Sequence, residues 1–515
     1  MKTGLGAAYS ERAKAPMAAV APGKNSSLWI AAAVAIVLVA VALLAGGHIA
    51  SIGSLHEKNY NEGWNVYNTA RLIAGETIYD ANYWRVNNYP IVSFVVVAAV
   101  NGVVHDLLLS GRIVALVAFL AIGILAAIVT WRLGGGRLAS AFTGATALGF
   151  YYLMAPDWIA VDDPQSLAEA LMLAGLAVYL GRAPTTGSLA LSALLIVLGG
   201  FTKHNLVAIP VVVSLDLAIR MPRRLPLWLA AAAACVISLY VATALVAGGA
   251  FLDHLLSPRV FSWYHVHYHL MKFARFFKGP LLLILLFSWR IFRGERLVLV
   301  WYGVLSISAG ALTSGFEGAS YNMMQDAAVF LAISLGLLLQ EWRTWLSQRR
   351  IGAALNGIAA SAAVLVLAAP IVSNAAKALA AFHRGAGLLD ADRAAEQSFA
   401  ADLAYLAARP GERICESLLL CYESGAPFAL DPFNSRQYIL AGKLDQGELI
   451  KRVLERDFSV IQLRADICDD PVSATCHILH YPRKFNRFTD DVLYAVDRYY
   501  RIDRRSPLGV FYVPR

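Results

Sequence analysis

Long apolar runs separated by short polar connections dominate the first 375 residues of the chain. Runs long enough to cross about 30 Å of hydrocarbon occur near 28–46, 111–131, 138–155, 165–181, 187–201, 205–219, 226–248, 279–292, 297–314, 326–341 and 352–372. They predict an all-α polytopic membrane protein with about eleven transmembrane helices. The first run is long enough to span and no convincing cleavage site follows it, which favours a retained helix.

After Ser373 the apolar runs stop and the pattern changes to short alternating elements. Helix-like stretches at 392–409, 446–457 and 489–501 alternate with strand-like stretches at 458–463 and 509–513. This alternation predicts a small α/β domain. We therefore divide the chain into a tail, a membrane domain with a long first outer loop, and a C-terminal domain, at residues 1–27, 28–375 (outer loop 47–110) and 385–515.

Composition agrees with a membrane protein, because 58% of the 515 residues are hydrophobic and 15% are charged. The formal net charge is +9, but Lys and Arg occur in short clusters between apolar runs, so nucleic acid is not an expected partner. If residues 1–27 are cytoplasmic, most of these Lys and Arg clusters also lie on the cytoplasmic side of the membrane. The positive-inside rule then predicts a multi-pass protein of the bacterial inner membrane, with its C-terminal domain in the periplasm.

One apolar segment, from Tyr89 to Val104, is short for a transmembrane helix. It contains Pro90, Asn101 and Gly102, and counting it as a span would move every later Arg cluster to the other side. We predict a helix that lies in the outer interface or dips into it.

Four of the five cysteines lie in the C-terminal domain, and Cys235 lies in an apolar run. An even number of cysteines in an oxidising compartment predicts two disulfides. Of the three connectivities, the local pairs Cys415–Cys421 and Cys468–Cys476 are favoured. A metal site is the alternative, although neither the spacing nor a His partner suits zinc.

The first outer loop mixes acidic residues with aromatic rings. Such a mixture suits a carbohydrate or a lipid headgroup, because rings stack on sugar faces and carboxylates bind hydroxyls. An interfacial helix with an aromatic belt is the alternative. Glu62 is our candidate for a catalytic base, and Gly63 beside it lets a substrate approach the backbone closely. Glu62 also suits the first turn of a helix, where the macrodipole favours an acid.

The second outer loop places Asp162 and Asp163 beside the next apolar run. Adjacent carboxylates raise each other's pKa unless a cation or a proton lies between them. Helix capping by Asp163 before Pro164 is the alternative for that residue alone. It does not account for Asp162, so both aspartates are candidate catalytic residues.

Candidate substrate-binding residues occupy three further outer connections. Lys203 lies beside His204 on the face where lysine is disfavoured, which suggests a phosphate site, with a snorkelling helix-end lysine as the alternative. The loop 250–278 is rich in His, Lys and Arg and suits a metal or anionic headgroups; the loop 316–326 suits a lid, a substrate contact or a plain loop. From these two loops we take Arg259, Tyr264, His265 and Asn322 as candidate contacts.

The outer segments resemble those of the GT-C class of membrane glycosyltransferases, which includes protein O-mannosyltransferases and bacterial aminoarabinose and galacturonic acid transferases. The resemblance spreads over residues 28–375. Its motifs are Asn61-Glu-Gly-Trp-Asn-Val-Tyr-Asn-Thr-Ala-Arg-Leu-Ile-Ala-Gly-Glu-Thr-Ile-Tyr79, Asn88-Tyr-Pro90, Gly111-Arg112, Asp162-Asp163 and Phe201-Thr-Lys-His-Asn205. The more usual Asp-Glu-Gly of the first motif reads Asn61-Glu62-Gly63 here.

The resemblance implies a polyprenyl-phosphate sugar donor, presented from the membrane, and an acceptor lipid, glycan or protein of the cell envelope. It places the general base at Glu62, a second acid at Asp162 or Asp163, and a basic residue at Lys203. Such a reaction needs a base on the acceptor hydroxyl and positive charge on the leaving phosphate. A single displacement with inversion is the simplest mechanism. It needs no covalent intermediate. The acidic loop is a candidate ligand for a divalent cation, and the alternative is that it positions the acceptor hydroxyls or the base.

Two other classes of function fit parts of the sequence. A transporter or flippase of a lipid-linked or anionic solute would use ionisable residues inside apolar runs, such as Glu169 and Asp216. Asp216 can pair with Arg220 one turn later, and no inverted repeat of broken helices is visible, so a relay is weakly supported. A non-catalytic assembly or sensor protein built around the C-terminal domain is the third class.

Overall fold

The computed structural model describes residues 24–181, 184–349, 353–383, 388–467 and 487–515. Its first helices are α1 (Lys24–Ala50), α2 (Tyr60–Ile73), α3 (Val92–Val104), α4 (Leu107–Arg132), α5 (Arg137–Met154), α6 (Gln165–Tyr179), α7 (Thr186–Gly200), α8 (Ala208–Arg220) and α9 (Leu225–Ala247). They are followed by α10 (Phe251–Leu255), α11 (Trp263–Phe276), α12 (Lys278–Leu286), α13 (Ser288–Ile291), α14 (Val298–Thr313), α15 (Gln325–Gln348), α16 (Ala353–Leu367) and α17 (Ala369–His383). Short 3-10 turns lie at Tyr83–Arg85, Pro156–Trp158, Gly294–Leu297 and Tyr321–Met324.

Each of the predicted apolar runs corresponds to a helix or to a pair of helices. Within the described ranges, five helices are long and apolar enough to cross a membrane: Ser27–Ala50, Leu107–Arg132, Leu225–Ala247, Gly294–Thr313 and Tyr321–Gln348. The pair α16 and α17, bent by 67°, makes a sixth if it is one span, whereas α3, α6 and α7 are apolar but shorter. A helical membrane domain is therefore confirmed, and the count of eleven spans stays a prediction.

The segment predicted to lie at the outer interface forms α3. Its 13 residues extend about 20 Å at the helical rise per residue, which is less than the roughly 30 Å of hydrocarbon. The short length agrees with the expectation of a helix that does not cross, and its depth in the membrane stays a prediction.

The connections predicted to be cytoplasmic meet at one end of the helix bundle. Arg296 donates to the carbonyl of Leu133 at 2.9 Å and pairs with Glu341 at 2.7 Å. Arg220 pairs with Asp216 at 2.8 Å, as predicted, and also donates to a carbonyl of the neighbouring connection. Chain segments far apart in sequence but grouped together by the charge pattern therefore lie together in space.

In its described residues, the C-terminal domain has a four-stranded mixed sheet with helices on both faces. Its elements are α18 (Leu388–Ala407), β1 (Glu412–Cys415), α19 (Leu418–Glu423), α20 (Pro432–Leu440), α21 (Gln446–Leu454), β2 (Phe458–Leu463), α22 (Asp490–Tyr499), β3 (Tyr500–Ser506) and β4 (Gly509–Pro514). The strand order is β1-β2-β4-β3; β1 and β2 run parallel, and β4 is antiparallel to both of its neighbours. The expected α/β fold of this region is present.

The two faces of the sheet have different partners. Residues of α21 and α22 cover one face, among them Val453 and Val496. On the other face, α18 and α19 pack together with α2 of the membrane domain, whose Trp64 and Tyr67 belong to the same apolar core as Phe511. The first outer loop and the C-terminal domain therefore share one hydrophobic core, which fixes α2 from outside the helix bundle.

Candidate active site

Glu62 lies in the first turn of α2, which begins after the capping residue Asn59. Its side chain is fully buried and is held by four donors. Arg112 donates to its two oxygens at 2.7 and 2.9 Å, and the backbone amides of Lys58 and Asp162 donate at 2.8 and 3.3 Å. A carboxylate has about four lone-pair sites, so none of them is left for a substrate.

Arg112 connects α4 to the start of α2. Its guanidinium is buried and donates to the carbonyls of Ile52, Ser54 and His56 as well as to Glu62. A bidentate Arg–carboxylate pair is strong and specific in geometry. Sequence reasoning noted Arg112 only as part of a motif, although an ionisable side chain close to the end of a long apolar run is a signal of its own.

Asp162 lies against α4, with its carboxyl group packed on Gly111. A Cβ on Gly111 would be 2.1 Å from the Asp162 Cγ, so glycine is required at that position. The amide of Asn65 holds the Asp162 carbonyl at 2.6 Å, while Oδ2 of its carboxyl group is buried without a hydrogen-bond partner. Burial, Glu62 and Asp163 raise the pKa of Asp162 well above the usual range of an aspartate, and Arg112 opposes them only in part.

Asp163 is held as completely as Glu62. Its Oδ1 accepts from Lys203 at 2.9 Å and from the Gln165 amide at 2.8 Å, and its Oδ2 accepts from Asn61 at 2.8 Å and from Tyr89 at 3.2 Å. The contact with the Gln165 amide supports the start of α6, but the capping residue of this helix is Pro164, whereas the capping interpretation had Asp163. Asp163 also carries an ion pair, so supporting the helix start is not its whole role.

Lys203 is buried rather than directed towards a membrane surface, which contradicts the snorkelling alternative. Its ammonium lies 4.9 Å from the ring centroid of Tyr89 and 5.6 Å from that of Trp158. Both His204, which is exposed, and Arg259 lie within electrostatic range of Lys203. Three of the predicted substrate-binding residues are therefore within electrostatic range of one another, and Lys203 pairs with Asp163.

The remaining residues predicted to contact substrate lie in different surroundings: one contacts the C-terminal domain, two lie on α11, and one is buried. Arg259 donates to the Glu317 carbonyl and to Asn434 of the C-terminal domain, each at 3.1 Å. Tyr264 and His265 lie on α11, where the Tyr264 side chain is 71% exposed. Asn322 is fully buried, and both polar atoms of its amide lack a partner.

The histidine-rich segment forms a helix, so His265 and His269 share a face but His267 does not, whereas all three would share a face on a strand. In the part of the chain that the structure describes, no group of three or more His, Cys, Asp or Glu side chains is placed to hold a metal ion. Arg112 already neutralises Glu62, and Lys203 already neutralises Asp163. A divalent cation at either carboxylate would have to displace that basic side chain.

The C-terminal domain contacts the helix that carries Glu62. A Cβ on Gly63 would be 2.0 Å from the backbone nitrogen of Leu419, so this glycine admits the C-terminal domain and not, as the sequence suggested, a substrate. Tyr60 donates to Asp431.

The loop that packs on Gly63 is closed by the disulfide Cys415–Cys421, one of the two predicted pairs. Ser417, inside this loop, donates to Glu57 of the first outer loop at 2.7 Å. The other predicted pair, Cys468–Cys476, lies outside the described residues. The confirmed disulfide therefore constrains a segment in direct contact with the site.

No protein-family model matches the sequence, and no curated protein sequence matches it. Solved structures do match. ArnT from Cupriavidus metallidurans in the apo state has a TM-score of 0.59 at 13% identity, over 94% of this chain and 97% of that chain. The same protein bound to undecaprenyl phosphate has a TM-score of 0.57 at 12% identity, with the same coverage.

An oligosaccharyltransferase from Archaeoglobus fulgidus, tethered to an acceptor peptide, has a TM-score of 0.50 at 11% identity. The match covers 94% of this chain and 74% of that one. Both proteins are GT-C glycosyltransferases. At such low identity the likeness establishes the fold, and the chain has the GT-C fold that its outer motifs predicted.

Proposed function

We propose that this protein is a membrane glycosyltransferase that moves a sugar from a polyprenyl-phosphate donor to an extracytoplasmic lipid, glycan or protein. One observation carries the proposal. Asp162, with a free carboxyl oxygen, is next in sequence to the ion pair of Asp163 with Lys203, and Arg259 lies close to that lysine. The GT-C fold supports it, since one neighbour was crystallised with undecaprenyl phosphate and another with an acceptor peptide.

Asp162 is the general base in this proposal. Among the three acidic candidates it alone has an oxygen with no hydrogen-bond partner, whereas Glu62 and Asp163 each accept four hydrogen bonds. The sequence and the family resemblance favoured Glu62. Its complete engagement makes a positioning role the better proposal, because Glu62 holds both Arg112 and the amide of Asp162.

The reaction follows from these roles. Asp162 takes the proton of an acceptor hydroxyl, whose oxygen bonds to the anomeric carbon of the sugar. The bond from that carbon to the phosphate oxygen breaks, and polyprenyl phosphate leaves with the bonding electron pair. Lys203 and Arg259 stabilise the negative charge on the phosphate, and the single displacement inverts the anomeric centre.

The same proposal includes the predicted orientation in a bacterial inner membrane. The arginine-rich connections lie at one end of the bundle, and the positive-inside rule assigns that end to the cytoplasm. The site and the C-terminal domain are then on the periplasmic face, where a disulfide such as Cys415–Cys421 is stable. A C-terminal alkaline phosphatase fusion tests the orientation, since it is active only outside the cytoplasm.

Sugar transfer in proteoliposomes tests the function directly. The purified protein is supplied with radiolabelled undecaprenyl phosphate hexoses and an envelope extract, and release of undecaprenyl phosphate is measured. We expect wild-type protein to release it and Asp162→Asn to release at least about 100-fold less, since the amide cannot accept the proton. Movement of intact donor or solute across the bilayer, without cleavage, would favour the transporter instead.

A further inference from the structure

A second group of buried polar side chains lies deeper in the helix bundle than the ion pairs. We call it the inner polar cluster, and it consists of Gln165, Glu169, Asn322, Gln325 and Asp326. All five residues are buried, with at most 5% of their surface exposed. The proposed reaction uses none of them, and only Asn322 was a candidate from the sequence.

The cluster is assembled from two helix starts. Gln165 and Glu169 are one turn apart on the same face of α6. Asn322 lies on the 3-10 turn that leads into α15, and Gln325 and Asp326 are the first two residues of α15. The carboxyl groups of Glu169 and Asp326 are close neighbours, which brings the two helix starts together.

The cluster adjoins the active site. Gln165 donates its backbone amide to Asp163. Tyr151, whose hydroxyl lies 3.2 Å from that of Ser166, is within electrostatic range of both Asp163 and the Glu169 carboxyl group. The cluster is therefore next to Asp163, which pairs with Lys203, and a sugar linked to a phosphate at Lys203 would be near it.

The amides of the cluster lack partners, whereas its two carboxyl groups share a hydrogen bond and Asp326 also accepts from Tyr302. Both polar side-chain atoms of Gln165, Asn322 and Gln325 are buried without a hydrogen bond. Buried polar groups are normally paired, and unpaired ones cost free energy that a complementary ligand recovers. Six such atoms on three amide side chains therefore point to a ligand site rather than to a packing defect.

The chemistry of the cluster defines the ligand. Amides donate and accept, and carboxyl groups mainly accept, so the set matches hydroxyl groups, which do both. A phosphate is a poor match, because Glu169 and Asp326 are acidic and no Lys or Arg in the described chain forms an ion pair with either. We propose that the inner polar cluster binds the ring hydroxyls of the donor sugar, an inference that rests on the proposed function.

Binding measurements separate this inference from the transfer reaction itself. The affinity of purified protein is measured for undecaprenyl phosphate and for undecaprenyl phosphate linked to glucose, galactose or mannose. We expect at least one linked hexose to bind about tenfold more tightly than undecaprenyl phosphate. Gln325→Met keeps the side-chain volume and removes both polar atoms. We expect this variant to lose most of that preference, and its affinity for undecaprenyl phosphate to stay unchanged.

Ser334→Ala is the matched control, since Ser334 is also buried on α15 with an unpaired hydroxyl but lies two turns away. Its preference should equal that of the wild type. Because Gln325→Met removes unpaired polar atoms, its melting temperature should stay the same or rise. An unchanged preference in Gln325→Met, or no preference in the wild type, would overturn the inference. Release of undecaprenyl phosphate by the wild type would still support the transferase.

Discussion

The ion pairs of the candidate active site and the inner polar cluster are neighbours in the bundle. The polar atoms of the ion pairs have hydrogen-bond partners, and those of the cluster's amides do not. Glu62 and Asp163 each accept four hydrogen bonds, whereas both side-chain polar atoms of Gln165 and Gln325 have none. A fully paired network fixes its members in one geometry, and an unpaired one gains when a ligand arrives. In the proposed reaction, the first region is therefore organised before substrate binds, and the second is completed by substrate.

The largest expected effect comes from breaking the pair of Glu62 with Arg112. Glu62→Gln leaves a buried guanidinium without its counter-charge, which should cost about 3–5 kcal/mol of stability. We expect a clear drop in the melting temperature of the detergent-extracted protein, together with loss of sugar transfer.

Asp162→Asn provides the contrast, because it should lose transfer while keeping its melting temperature. If Glu62→Gln kept its stability and lost only turnover, by about 100-fold or more, Glu62 would be the base after all. The double variant Glu62→Gln/Arg112→Met removes both charges and should recover part of the lost stability.

The second expected effect concerns the ion pair of Lys203 with Asp163. Lys203→Met should weaken the binding of undecaprenyl phosphate about tenfold or more, because it removes a charged hydrogen-bond donor to the phosphate. It also leaves Asp163 buried without its cation, so stability should fall. Lys203→Met/Asp163→Asn should restore stability but not affinity. Recovery of affinity in the double variant would show that Lys203 acts only through Asp163.

A smaller effect is expected from the disulfide that closes the loop against α2. Replacing Cys415 and Cys421 by alanine should cost about 2 kcal/mol, as chain-entropy arguments give for so short a loop. Because this loop packs on Gly63, transfer should fall several-fold with it. Thermal unfolding and transfer are measured with and without reductant, and Cys235→Ser is the control that should change neither. Full activity of the double alanine variant would show that the loop holds its place without the covalent bond.

The smallest effect is a shift in pH dependence. Burial, Glu62 and Asp163 raise the pKa of Asp162, and a base works only when it is ionised. Transfer should therefore fall as the pH drops through that raised pKa, at a higher pH than an ordinary aspartate would show. Asp163→Asn removes one of the repelling charges, so the acid limb of the pH–rate profile should move to lower pH. A limb that stays in place would argue against Asp162 as the titrating group.

Much of the fold and part of the site could be read from the sequence. Apolar runs predicted the helices because burial in lipid demands a continuous apolar stretch, and alternating short elements predicted the C-terminal α/β domain. The outer connections also identified Asp162, Asp163 and Lys203, since charged side chains next to membrane helices are costly and need a reason. The pair Cys415–Cys421 followed from its short spacing.

Only the tertiary structure decided which of these side chains already have hydrogen-bond partners within the protein. Arg112 meets Glu62, and Lys203 meets Asp163, across 50 and 40 positions of sequence. Those pairings leave Asp162 with a free oxygen. Gln325 looks like an ordinary helix-start residue until its surroundings are known. Patterns along the chain report burial and helix formation because both are local, whereas hydrogen-bond partners depend on how distant segments pack.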